Sequence, residues 1–180
     1  MPKQGYHHGN LRQALVDAAL ELIEEKGPTG FTLSEAARQG FEIFADLMAY
    51  AYETGQPSSL AAFEATGRAY LAFARRYPGH YVAMFESGIP VNRTPELAEV
   101  AARAHGVLER AARTLAEQIP AERRPPPQMF SAHIWAMSHG VVELFARGSP
   151  GTRSPFPPED LLETGIGIYL RGLGLIEKDT

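Results

Sequence analysis

Apolar residues recur along most of the chain at the three- and four-residue spacing of one helix face, and this regularity limits the fold more than any other feature. Leu11, Leu15, Ala18 and Leu22 show the spacing between residues 10 and 26, where Asn10 can cap the helix. No segment alternates with the two-residue period of a half-buried strand. We therefore predict an all-α protein.

Start and stop signals divide this pattern into separate helices. The run Thr32-Leu33-Ser34-Glu35 is typical of a capping box, and Thr94-Pro95-Glu96 combines a cap, a first-turn proline and a first-turn acid. Proline-rich stretches interrupt the helical pattern around residues 125–127 and 148–158. The pattern predicts helices over residues 10–26, 32–39, 40–54, 60–77, 78–85, 95–119, 128–147 and 159–176.

Composition excludes several classes of protein. Of the 180 residues 44% are hydrophobic and 21% charged, which is typical of a folded globular chain. The absence of cysteine excludes a disulfide framework and a thiolate metal site. No signal peptide or membrane-length apolar run is present, so we expect a cytoplasmic protein without a membrane partner. The net charge of −4 requires any DNA contact to use a local patch.

Two motifs resemble those of TetR-family transcriptional regulators. The run YHHGNLRQALVDAALELIEEKG from Tyr6 to Gly27, followed by FTLSEAA from Phe31, is similar to the first two helices of that family. Downstream, Trp135, His139 and Gly140 match the Trp-x-x-x-His-Gly signature of its WHG-type sensory domain. The resemblance implies an N-terminal helix-turn-helix head over residues 1–45 and a larger ligand-binding and dimerisation body over residues 46–180.

The same resemblance implies two partners, double-stranded operator DNA and a small-molecule effector. In the family the starts of the first two helices hold phosphate groups, a role that suits the free N–H groups of a helix N-terminus. Carried over residue by residue, this predicts DNA contacts at Tyr6, His7, Gly9, Asn10, Thr32 and Ser34.

The chain departs from the family pattern between Gln39 and Gly40. Family members carry a turn and a recognition helix after the second helix, whereas here Gly40-Phe41 already resembles the middle of the fourth. Two interpretations stay open: roughly 25 residues of a complete head are missing from the sequence as written, or a deletion has truncated the head. Residues 1–39 are not basic either, with four basic and five acidic side chains.

Aromatic and histidine side chains in the body suggest an effector site. Apolar walls with a few polar anchors are usual for a small-molecule site and favour an apolar or aromatic ligand. Trp135 and His139, one turn apart, are equally consistent with a core aromatic and a hydrogen-bonded core histidine. We predict ligand contacts at Tyr81, Met84, Phe85, His105, Phe130, His133, Trp135 and His139.

Neither a metal ion nor a cofactor is expected. His133 and His139 are six residues apart and lie on nearly opposite faces of a helix, and no acid completes a ligand set. No nucleophile elbow or glycine-rich phosphate loop is present. An enzyme that uses His105, His133 or His139 is a weaker alternative without further support from the sequence.

The last helix carries four glycines between residues 165 and 174, each costing about 1 kcal/mol of helix stability relative to alanine. Such a cost favours close approach of another backbone, and the resemblance implies a homodimer built from the last two long helices. A frayed C-terminal helix is the alternative. We predict an interface at Ile166, Gly167, Tyr169, Leu170, Leu173 and Gly174.

Together these features predict a ligand-responsive DNA-binding regulator, a repressor that a small apolar or aromatic effector releases from DNA. The effector would change the spacing of the two heads in the dimer and their match to half-sites. The alternative is a helical ligand-binding dimer without DNA binding.

Overall fold

A computed structural model describes residues 16–20, 32–146 and 154–176, and every regular element among them is helical. Residues 16–20 are part of the predicted first helix, whose remainder lies outside the described residues. The longer helices are α1 (Leu33–Thr54), α2 (Ser59–Arg76), α3 (Pro78–Phe85), α4 (Pro95–Ala116), α5 (Pro127–Val141) and α6 (Pro158–Gly172). The predicted all-α class is confirmed.

Local signals read from the sequence account for several helix starts. The Thr32 hydroxyl accepts a hydrogen bond from the Glu35 N–H at 3.0 Å, as the capping box requires. The Thr94 hydroxyl accepts one from the Leu97 N–H at 3.2 Å. Proline opens α3, α4, α5 and α6, where its missing N–H and fixed φ cost nothing.

The predicted helix boundary between Gln39 and Gly40 is wrong, because α1 runs without interruption from Leu33 to Thr54, whereas the missing segment inferred at this junction stays a prediction. Arg38 spans the junction, with its guanidinium 3.0 Å from Glu35 and 2.9 Å from Glu42. Gly40 lies inside the helix, and a Cβ at that position would lie 2.6 Å from the sulfur of Met84. Its missing side chain serves close packing of α1 on α3.

One further helix changes its hydrogen-bonding pattern, and another ends earlier than predicted. α5 passes into a π-helical turn at Val142–Ala146, ending the described part of that segment. α6 ends at Gly172 rather than near residue 176, because Gly174 adopts a positive φ of 77°. The Leu175 N–H then donates to the Leu170 carbonyl at 3.0 Å, a bond that turns the chain away from the helix axis.

The chain divides into two compact units that do not follow the predicted boundary at residues 45 and 46. The first unit comprises the chain up to Asp46 together with Phe73–Ala104, and the second comprises Leu47–Ala72 together with the chain from His105 onward. The functional division into head and body stays a prediction.

Aromatic rings form the core of the first unit. The ring centroids of Phe41 and Phe85 are 5.6 Å apart, those of Phe44 and Phe73 are 4.9 Å apart, and Tyr81 lies 4.8 Å from Phe85. In the second unit Phe63 and Phe130 stack at 6.0 Å between ring centroids, and both side chains are buried. Each unit therefore has its own apolar core.

Candidate ligand site and functional surfaces

A cavity of 640 Å³ lies between α2 and α6 of the second unit, a volume in the range usual for small-molecule sites. Its α2 wall comes from Glu64, Gly67, Arg68 and Leu71, which share one helix face because they are three or four residues apart. The α6 wall and the flanking turns supply Phe156, Glu159, Asp160, Leu162, Glu163, Thr164, Ile166, Gly167, Leu170, Arg171 and Ile176.

The floor of the cavity is apolar and belongs to the core. Leu71, Leu162, Ile166 and Leu170 line it and are all buried. A Cβ at Gly67 would lie 3.8 Å from Leu162 Cδ2, an ordinary van der Waals contact, so α2 and α6 face each other at this position. The floor can therefore cover the apolar part of a ligand.

The rim of the cavity is charged, and it carries more acidic than basic side chains. Four carboxylates and two guanidinium groups line the cavity. Glu159 and Asp160 occupy the first turn of α6, where the helix dipole favours acids whatever the cavity binds. Glu64 and Glu163 have no such local reason, and neither forms an ion pair with a residue that the structure describes.

Phe156 is the exposed aromatic of the rim. Its side chain is 62% exposed although it lines the cavity, and its N–H donates to the Ser154 hydroxyl at 3.0 Å. An aromatic ring in this position can lie against a bound molecule at little cost, because no core contact has to break.

The predicted ligand residues of the first unit lie in its core, and a ligand role for them stays a prediction. Tyr81 and Met84 are buried, and Phe85 packs edge-on against Phe41. Sequence periodicity marks such residues as inward-facing but does not distinguish a packed core from a cavity wall, so the prediction could not separate the two. None of these side chains lines the cavity of the second unit.

The predicted ligand residues of the second unit form contacting pairs. His105 lies 3.8 Å from Trp135 between ring centroids, and His139 Nδ1 shares a 3.0 Å hydrogen bond with the Tyr70 hydroxyl. This is the arrangement expected of a hydrogen-bonded histidine beside the core. None of His105, Trp135 and His139 lines the cavity, and a ligand role for them stays a prediction.

Phe130 and His133 both contact Tyr169. Phe130 is fully buried and stacks on the Tyr169 ring at 5.8 Å, whereas His133 Nδ1 is 2.8 Å from the Tyr169 hydroxyl. Phe130 is therefore a core residue and not part of the cavity wall. Partial burial raises the pKa of Tyr169, because the phenolate would lose hydration there.

Of the predicted DNA contacts, Tyr6, His7, Gly9 and Asn10 lie outside the described residues. Thr32 and Ser34 line a hollow of 270 Å³ in the first unit, together with Glu35, Arg38, Thr94 and Glu96. The Glu35 hydrogen bond raises the pKa of Arg38, partial burial opposes this, and Glu42 adds to it. Because two carboxylates already compensate the Arg38 charge, this hollow offers a phosphate little net attraction.

The predicted dimer residues lie on different sides of α6. Leu170 is fully buried and Ile166 nearly so within the chain itself, which corrects their assignment as free contact surface. Gly167 also faces the cavity, Tyr169 faces α5, and Leu173 and Gly174 belong to the turn after the helix. The predicted dimer residues therefore do not coincide with the solvent-exposed face of α6.

One face of α5 and one face of α6 expose small and apolar residues beside the polar His133 and Thr164. Met129 is 53% exposed and Ile168 is 62% exposed. We call this surface the small-residue face; its exposed or half-exposed members are Met129, Ala132, Ala136, Gly165, Ile168 and Gly172. Small residues on a helix allow the close approach of another helix.

The charged rim of the cavity was missed by sequence reasoning. Glu64 and Glu163 lie on the same helical faces as Leu71 and Ile166, whereas acids on a surface helix usually occupy the face opposite its apolar residues. An acid in phase with an apolar stripe is the signal that could have indicated a polar cavity wall.

Comparisons with known proteins agree with the fold. The solved structure of a protein with unknown function from Rhodococcus sp. RHA1 has a TM-score of 0.69 to this chain at 22% identity. That match covers 96% of this chain and 99% of the other, and it shows a shared fold. No curated protein matches the sequence significantly. None of the described helices is long and apolar enough to cross a membrane.

The sequence profile described as "Tetracyclin repressor-like, C-terminal domain" matches residues 63–169. This range contains the cavity wall of α2, all of α3 to α5 and most of α6. It also contains the Trp135, His139 and Gly140 motif on which the sequence resemblance partly depends. The chain therefore belongs to the TetR family, with a tetracyclin repressor-like C-terminal domain.

Proposed function

We propose that this protein is a ligand-responsive transcriptional regulator, a repressor whose second unit senses a small molecule. The 640 Å³ cavity between α2 and α6 is the observation that supports the proposal most directly. Its volume and apolar floor are what a small-molecule site requires, and the charged groups of its rim can orient a ligand. The family is regulatory rather than enzymatic in general, and we propose action in the cytoplasm, where the DNA of a bacterial-type repressor lies.

A homodimer is part of the proposal. The small-residue face of α5 and α6 presents apolar side chains to solvent, and a second copy of the chain would cover them by a two-fold contact. Gly165 and Gly172 would allow the helix backbones to approach, while Met129 and Ile168 would supply apolar contact area. This replaces Ile166 and Leu170 as proposed contacts and keeps α6 in the interface.

A second candidate function is a ligand-binding dimer without DNA binding. The continuous helix Leu33–Thr54 favours it, because the described chain leaves no turn and no separate recognition helix after Gln39. Support for DNA binding comes instead from the family and from the resemblance of the N-terminal run to its first helices. The two candidates share the cavity and the dimer and differ only in the head.

DNA binding by the full chain distinguishes the two. We expect gel-shift binding to DNA taken from upstream of the gene, with an affinity that falls at least about tenfold between 50 and 200 mM salt as phosphate contacts are lost. A matched fragment of random sequence is the control and should bind more weakly. Absence of salt-sensitive binding to either fragment would leave the DNA-free sensor as the function.

A further inference from the structure

We infer that the cavity between α2 and α6 selects a lipophilic organic cation, meaning an apolar or aromatic body that carries one positive charge. The inference rests on the proposed sensory function and adds the chemical class of the ligand. It differs from the sequence expectation, which specified only an apolar or aromatic molecule. Three features of the cavity carry it: the apolar floor, the acidic excess of the rim and the exposed Phe156.

The floor determines the apolar part of the ligand. Leu71, Leu162, Ile166 and Leu170 form a continuous buried surface between the two helices. A small hydrophilic ion would leave this surface in contact with water, so occupancy by an inorganic cation alone gains nothing from it. A ligand with aromatic or aliphatic groups covers the floor and displaces that water.

The rim determines the sign of the charge. Its four carboxylates exceed its two guanidinium groups, so the cavity has an excess of negative charge. A cleft with net negative charge raises the local concentration of cations, although its two guanidinium groups weaken this effect. Glu64 on α2 and Glu163 on α6 stand on opposite walls, and a cation between them would be attracted to both.

Phe156 adds a contact that favours the same charge. The face of an aromatic ring attracts a cation within about 6 Å of its centroid, and quaternary cations are the ligands that aromatic-lined sites commonly recognise. Because its ring is largely exposed, Phe156 can lie against such a ligand without leaving a core position.

Arg68 and Arg171 would instead favour an anion, and the test must separate the two signs. Tetraphenylphosphonium and tetraphenylborate are nearly equal in size and shape and opposite in charge. We expect the phosphonium ion to bind the full-length protein at least about tenfold more tightly in calorimetry, with an affinity that decreases as salt is added. Equal affinity, or tighter binding of the borate, would overturn the inference.

Two variants locate the binding site. Glu64→Gln and Glu163→Gln each remove one negative charge at nearly constant side-chain volume, and each should weaken phosphonium binding about three- to tenfold. Glu99→Gln is the matched control, since Glu99 is exposed on α4 and does not line the cavity. An equal effect of all three variants, or no effect of the first two, would contradict the assignment to this cavity.

A neutral probe separates failure of the inference from failure of the proposed function. N-phenyl-1-naphthylamine has aromatic bulk without charge and should occupy the apolar floor weakly. If it binds while the phosphonium ion does not, the cavity is a ligand site but the class inferred here is wrong. If neither probe nor the borate binds the folded protein, the cavity is not a sensory site and the proposed function loses its main support.

Discussion

Phe130 and Phe156 allow a sharp test of which aromatic side chains hold the fold and which contact a ligand. Both belong to the second unit, and the sequence analysis assigned Phe130 to the ligand site as an aromatic side chain of the body. The structure buries Phe130 completely, between the rings of Phe63 at 6.0 Å and Tyr169 at 5.8 Å. Phe156, in contrast, is 62% exposed and lines the cavity. Truncation of each to alanine should therefore give opposite results.

The expected loss of stability for Phe130→Ala follows from its burial. Removing a fully buried phenylalanine costs about 3–5 kcal/mol, through lost transfer free energy and the cavity left behind. The two ring contacts place Phe130 in the upper part of this range, because each aromatic pair adds about 0.5–1.5 kcal/mol. For a chain of 180 residues, about 4–5 kcal/mol corresponds to a decrease in Tm of roughly 8–20 °C.

Phe156→Ala should leave the free energy of unfolding within about 0.5 kcal/mol of the wild-type value, as is usual for exposed positions. It should weaken tetraphenylphosphonium binding, because a rim contact is lost. Phe130→Leu serves as a folded variant of the core position and should cost about 1–2 kcal/mol without changing the affinity.

The assays are denaturant unfolding followed by circular dichroism and calorimetric titration with the phosphonium ion. All variants must be compared at one protein concentration, since the stability of a dimer depends on it. If Phe130→Leu weakens binding while Phe156→Ala does not, Phe130 contacts the ligand and the assignment of the cavity is wrong. A stable Phe130→Ala variant would show that the packing described for its ring is not that of the folded protein.

Two further predictions concern backbone space and ionisation. Gly55→Ala should lower the free energy of unfolding by about 2 kcal/mol or more, because a Cβ there would lie 2.6 Å from Ala62 Cα and 2.8 Å from the Ala51 carbonyl oxygen. Gly106→Ala should instead raise the free energy of unfolding by about 0.5–1 kcal/mol, because Gly106 lies within α4 and no atom lies within 4 Å of the new Cβ. If chemical denaturation shows the Gly106→Ala variant to be the less stable of the two, both assignments are refuted. Ultraviolet titration of wild type against Tyr169→Phe should place the pKa of Tyr169 above the ordinary tyrosine value. Because the folded state resists this ionisation, the contribution of Tyr169 to stability is present below about pH 10 and is lost as the pH rises further. An ordinary pKa would refute the burial of the hydroxyl.

Sequence reasoning located the helices well where caps and prolines mark them. The Thr32 and Thr94 caps and the prolines that open α3 to α6 act through bonds and dihedrals within a few residues, so the sequence is sufficient to find them. It placed a helix boundary at Gly40, where the structure has a continuous helix, and the missing segment inferred there stays a prediction. The decisive contact, the close approach of Met84, comes from a residue more than forty positions away.

The candidate site was predicted less well than the fold. Residue type suggested Phe130, Tyr81 and Met84 as ligand contacts, and all three are buried, but residue type cannot tell a packed core from the wall of a cavity. The predicted interface on α6 is shifted by one residue from the small-residue face, and Leu170 within it is buried. Which side of α6 is covered depends on the helices that pack against it. Such register is decided by packing and not by propensity.

The sequence by itself determined the all-α class, the positions of most helix starts and the membership in the TetR family, because short-range hydrogen bonding and a recurring motif carry that information. Only the tertiary structure decided that α2 and α6 enclose a cavity, that acids dominate its rim and that α1 continues through Gly40. Those features depend on side chains brought together from distant parts of the chain. Their positions follow from how the helices pack, which no single stretch of sequence specifies.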